Sequence, residues 1–79
     1  MMICLKKSKH LIGDRIRQSR EVLGMTQQEL AEKMSVSQAM VSKWEGHGVA
    51  KVNTICKLAE ALSVHPIWLA FGYDVSPSS

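Results

Sequence analysis

Thr26-Gln-Gln-Glu29 constrains this chain more than any other stretch. A Thr followed three residues later by Glu, just before apolar residues, is a capping box. The hydroxyl accepts from the Glu29 amide, and the carboxylate reaches back to the Thr26 amide. A helix therefore starts here, with Leu30, Ala31 and Met34 turned inward. Ser35-Val36 leaves only a very short break before Ser37, itself a helix cap. The next helix carries Val41 and Trp44 on one face and ends at Gly46-His47-Gly48. Two capped helices, each of about eight residues, joined by so short a turn form a helix-turn-helix. The turn cannot lay them antiparallel, so they cross steeply. Ala31 is small where they come closest, and Val41 plugs the second helix onto the first.

The remaining chain is also read as helical. Leu11, Ile12, Ile16, Ser19 and Leu23 recur at three- and four-residue spacing, so a first helix has a mainly apolar face. Arg15, Arg17 and Gln18 are assigned largely to its other faces. Gly24 is its stop. Asn53 is the expected cap of a fourth helix containing Ile55, Leu58, Ala59 and Leu62. His65 caps a fifth, with Pro66 as its first residue and Gly72 as its stop. Trp44, Trp68, Met25 and Met34 read as core, and Met40 lies between the buried and outward sides. Ile67, Leu69 and Phe71 cannot all face one core. There is no sustained period-two alternation and no hairpin dipeptide. No internal repeat is apparent. The expectation is an all-α, compact five-helix domain with a basic arm over 1–10, the helical domain over 11–73, and a tail or linker start over 74–79.

Seventy-nine residues with a net charge of +3 suit one small domain and leave little core for a deep catalytic cleft. The charge is uneven. Residues 1–24 hold Lys6, Lys7, Lys9, Arg15, Arg17 and Arg20 against Asp14 and Glu21, whereas 54–79 are slightly acidic. A locally basic end suits a polyanion, although a solvated tail has the same composition. No apolar run approaches the roughly 18 residues of a membrane span. The basic cluster follows the first short apolar run, the reverse of a secretory signal. Cys4 and Cys56 are far apart and read as reduced thiols in a cytoplasmic protein. His10, His47 and His65 are isolated, so no metal site is expected. No nucleophile, phosphate-loop or dinucleotide motif is present. The chain is expected to be neither an enzyme nor a carrier of a cofactor or small-molecule ligand.

MTQQELAEKMSVSQAMVSKWE resembles the DNA-binding motif of the lambdoid phage repressor and Cro family, the Cro/C1-type helix-turn-helix. NTICKLAEALSVHPIWLAFG is similar to that family's fourth and fifth helices, and the likeness runs from about Leu11 to Tyr73. The resemblance implies a lambda-repressor-like domain whose helix from Ser37 is a recognition helix lying in the major groove. Gln38, Ala39, Ser42 and Lys43 would share its outward face. Gln38 could pair with adenine in bidentate fashion, Lys43 could donate to guanine, and Ala39 could pack on a thymine methyl. Backbone contacts would come from Gln27, Ser37, His47 and Lys51, with Lys6, Lys7 and Lys9 as an arm along the duplex. Arg20 and Glu45 would form a structural ion pair.

The resemblance further implies a double-stranded operator and a homodimer formed through Val64 to Tyr73 and the loop before the fourth helix. The function so implied is that of a phage or prophage repressor in the bacterial cytoplasm or nucleoid. Alternatives are an antitoxin-type autoregulator, and a helix-turn-helix used as a protein-interaction module. The same residues near Val64 to Tyr73 could instead close a monomer's core. Three departures from the family pattern stand out. Ser35 occupies the turn position where Gly is common, Ser63 does the same after the fourth helix, and the loop after the recognition helix is less basic than usual.

Overall fold

The computed structural model describes residues 8–72. Five helices follow one another: α1 Ser8–Val22, α2 Gln27–Met34, α3 Gln38–His47, α4 Val52–Leu62 and α5 Pro66–Phe71. All regular structure among the described residues is helical. None of these helices is long and apolar enough to cross a membrane.

Local chemistry places most of the helix ends. Gly24, at φ 72°, closes α1. Its N–H donates to the Glu21 carbonyl at 3.0 Å, and the Met25 N–H donates to that of Arg20 at 3.1 Å. This bond pattern satisfies two of the last carbonyls of the helix. The capping box at α2 is complete: the Glu29 N–H donates to Thr26 Oγ1 at 3.0 Å, and the Thr26 N–H donates to Glu29 Oε1 at 2.8 Å. Ser37 caps α3 by accepting from the Met40 N–H at 3.2 Å. His65 Nδ1 accepts from the Ile67 N–H at 3.1 Å, with Pro66 opening α5.

The two serine turns are the same device used twice. Ser35 has φ 61° and ψ 43°, and Ser63 has φ 60° and ψ 42°. In both turns the next residue reaches back, Val36 to the Ala31 carbonyl and Val64 to that of Ala59, each at 2.9 Å. The sequence carries a matching signature. Leu30-Ala31-Glu32 and Ser35-Val36 recur as Leu58-Ala59-Glu60 and Ser63-Val64 at equal spacing. α2–α3 and α4–α5 thus share one turn design, a likeness confined to the turn.

The core gathers one apolar face from each helix. Ile12 and Ile16 from α1, Leu30 and Ala31 from α2, Val41 from α3, Leu58, Ala59, Ala61 and Leu62 from α4, and Leu69 from α5 are all buried. Each large aliphatic side chain removed from water contributes about 1.5–3 kcal/mol before entropy is charged against it. α3 packs across α1 and α2, so its orientation depends on both.

Several expectations need correction. α4 begins at Val52 rather than after an Asn53 cap, and Lys51 precedes it without a side-chain cap bond. Val49 packs on the core just before the helix, and Asn53 falls inside its first turn. Leu23 is 45% exposed, because it lies past the last turn of α1. Arg15 is buried. Its spacing from Ile12 and Ser19 places it inside the apolar stripe, where it binds carbonyl groups instead of water. α1 also starts at Ser8, so its first turn includes Lys9 and His10.

Candidate nucleic-acid interface

The outward side of α3 is defined by what holds the inward side. Val41 is wholly buried and Trp44 half-buried, whereas Gln38, Ala39, Ser42 and Lys43 are all exposed. The expected reading residues therefore occupy one accessible surface, with the exposed Met40 beside them.

A chain of polar contacts runs from the interior to this surface. Arg20 grips Glu45 in a fork, donating from Nε to Oε2 at 2.6 Å and from Nη2 to Oε1 at 3.2 Å. The Glu45 side chain retains only 5% of its accessibility, and that of Arg20 10%. Nη1 of Arg20 donates to the Met25 carbonyl at 2.8 Å. The hydrogen bond to Glu45 raises the Arg20 pKa above its ordinary value against the opposing effect of burial, and the Glu45 and Glu21 charges add to the rise. Gln27 Nε2 donates to Glu45 Oε1 at 3.0 Å, and Gln38 Nε2 donates to Gln27 Oε1 at 3.4 Å. Each amide nitrogen carries two N–H groups. Gln38 thus keeps one donor and its carbonyl oxygen for a base, and Gln27 keeps one donor for a phosphate.

The other expected backbone contacts surround this surface. Ser37 uses its oxygen as the α3 cap, which leaves its hydroxyl proton to donate. His47 is exposed in the last turn of α3, and Lys51 is exposed at the entrance to α4. Lys43 and Lys51 line one shallow cleft of about 190 Å³ between α3 and the loop, floored by Met40 and Trp44. Sequence reasoning had assigned these lysines to different duties; the fold puts them on the same groove. Lys6, Lys7 and Tyr73 lie outside the described residues, as does the side chain of Lys9.

Two residues that tie α1 to its neighbours were not assigned a role from sequence. Gly13 is buried in α1, and a methyl group there would collide with the Glu45 carbonyl oxygen of α3. Its signal was a Gly in a helix interior, which costs about 1 kcal/mol against Ala and calls for a packing reason. The other is Arg15, whose Nε donates to the Leu69 carbonyl at 2.8 Å and whose Nη2 donates to the Ala70 carbonyl at 2.9 Å. Burial pulls its pKa below the ordinary arginine value, with Asp14 acting in the opposite direction. The basic front end is accordingly less available than its composition suggests, since two of its guanidiniums are internal.

The sequence profile of the helix-turn-helix family matches residues 16–69. Over 62 residues the chain is 37% identical to the HTH-type transcriptional regulator DicA of Escherichia coli (strain K12), a stretch covering 77% of this chain. The chain spans only 46% of the length of that relative.

Proposed function

The chain belongs to the Cro/C1-type helix-turn-helix family, and from that premise we propose that it is a sequence-specific DNA-binding transcriptional regulator of the phage or prophage repressor kind. In this reading α3 enters the major groove and the protein acts in the bacterial cytoplasm or nucleoid. Its role is binding, not catalysis. The observation that carries the reading is the contact chain from Arg20 through Glu45 and Gln27 to Gln38. It holds an exposed amide at the start of α3 with one donor and one acceptor left over, the pattern that adenine offers in the major groove. Lys43 and Ser42 would read neighbouring positions. Gln27, Ser37, His47, Lys51 and the arm lysines Lys6, Lys7 and Lys9 would hold phosphates and set register.

A second copy completes the site. Ile67 is 42% exposed and Phe71 68% exposed on the outer side of α5, opposite the fully buried Leu69. Pairing of these faces in a homodimer would present two recognition helices to successive major grooves about 34–36 Å apart on a near-palindromic operator. Occupancy of such a site would block a promoter.

Selection of bound duplexes from random DNA tests the reading. A near-palindromic consensus is expected. Gln38→Ala should then weaken binding to the selected duplex by about 5- to 150-fold, corresponding to 1–3 kcal/mol per bidentate contact. Binding to unrelated DNA should be unchanged. Equal loss on both would remove Gln38 from base reading, and absence of any enriched sequence would overturn the function.

A further inference from the structure

Arg15 is the buried charge that the reading surface does not use. Its guanidinium spans the Leu69 and Ala70 carbonyls in the last turn of α5. That helix has only six residues, too few to be stable through its own hydrogen bonds. A cation at its C-terminal end is favourably placed in the helix field. A methyl group at Gly72 would stand 3.0 Å from Arg15 Nη1, so the chain closes tightly over the group.

The anchorage of α5 has a particular weakness. Leu69 is its one fully buried side chain, and Trp68 and Ala70 are only partly covered. Leu69, with Trp68 and Ala70 packed partly beside it, seats this short helix against the core through apolar contacts, which set its tilt less sharply than directional bonds do. Two directional bonds at the C-terminal end remove that freedom. The same α1 that supplies Arg15 also meets α3, through the close approach at Gly13 and through the Arg20–Glu45 fork. One rigid helix is thus fastened to the helix that reads and to the helix that carries Ile67 and Phe71.

We propose that α1 is a strut between the reading helix and the dimer helix, and that Arg15 is the positioning residue that fixes the angle of α5 and hence the half-site spacing the dimer accepts. This inference rests on the dimer reading above. Lysine would not replace the arginine fully, because it lacks the planar fork that reaches two carbonyls at once.

The test uses the whole chain and four duplexes: the selected operator, one half-site of it, and versions with one base pair added or removed at its centre. Sedimentation of the unaltered protein on the intact duplex comes first. One copy per intact operator ends the dimer reading and this inference with it, before any variant is made. With two copies bound, Arg15→Met should keep half-site affinity within about twofold. It should lose about tenfold or more on the intact duplex, where the linked second contact is worth that much or more, and should discriminate less between spacings. Arg15→Lys should fall between, and keeps the experiment decisive if the Met variant does not fold. Equal loss on half and intact sites would make Arg15 a stabilising residue only. Unchanged spacing preference would overturn the strut.

Discussion

Glu45→Ala tests the part of the fold on which the reading surface rests. The carboxylate accepts three hydrogen bonds, two from Arg20 and one from Gln27, at 2.6–3.2 Å. Truncation leaves the Arg20 guanidinium under the surface without its main counter-charge. Breaking a buried pair by removing one partner costs about 3–5 kcal/mol. The lower end of that range applies, because Nη1 keeps the Met25 carbonyl and Glu21 stands 4.0 Å from Nη2. A loss of about 3 kcal/mol in a domain of this size lowers the melting temperature by about 12–24 °C, at 4–8 °C per kcal/mol. Thermal and urea melts followed by circular dichroism measure it. The companion variant Arg20→Met with Glu45→Ala removes both charges and should recover about 2 kcal/mol relative to the additive expectation. A Glu45→Ala cost below about 1 kcal/mol, the range of exposed pairs, would refute the reasoning. So would strict additivity in the double variant.

Two further outcomes follow from the turns and the arm. Ser63→Gly should stabilise the fold by about 0.5 kcal/mol, since the left-handed conformation costs a non-Gly residue about 1–2 kcal/mol and glycine returns about 0.5–1 kcal/mol of that in chain entropy; a lower melting temperature would show that the Ser63 side chain holds the turn. Replacing Lys6, Lys7 and Lys9 with Gln should flatten the salt dependence of operator binding by up to about 2.7 in log–log slope, at about 0.9 per phosphate contact. An unchanged slope would reduce the arm to a solvated tail.

The legible parts of this fold are those written in local chemistry. The Thr26–Glu29 box, the Ser37 cap and the His65-Pro66 start each depend on residues within three positions of one another, so the pattern alone locates them. The missed parts depend on distant partners. Arg15 makes its bonds more than fifty residues along the chain, to the end of α5. From sequence, Arg15 is assigned to the other faces of α1, and the distant carbonyls of α5 draw it inside instead. Asn53 shows the opposite failure: a good capping residue by local chemistry lies inside the first turn of a helix that starts at Val52. On the recognition surface, spacing could gather Gln38, Ala39, Ser42 and Lys43, yet it could not show that Gln27 bridges Glu45 to Gln38. That link joins α2 to both ends of α3 and has no sequence period.

The cations of this domain serve the fold before they serve a ligand. Arg20 binds the Met25 carbonyl just past α1, Lys33 Nζ donates to the Ala61 carbonyl at 2.9 Å in the last turn of α4, and Arg15 holds the end of α5. The Ala61, Leu69 and Ala70 carbonyls lie at helix C-termini, where such groups have no partner within their own helix and carry partial negative charge; that of Met25 lies in the loop before α2. A small core that cannot bury every helix end gains from long cationic side chains that reach across to them. With Arg15 and Arg20 turned inward, fewer cations stand exposed for direct contact with a duplex than the ten in the sequence suggest. Arg17, the remaining guanidinium of the basic front end, already stands 3.6 Å from Asp14. Under the proposed function, attraction to phosphate would rest on Lys43 and Lys51 at their shared cleft, on the arm lysines, and on neutral donors such as Gln27 and Ser37. Neutral donors release no counterions. In an interface of that kind geometry would carry a larger share of the affinity than charge, and the fastening of α3 and α5 to α1 would then count as part of the proposed binding site.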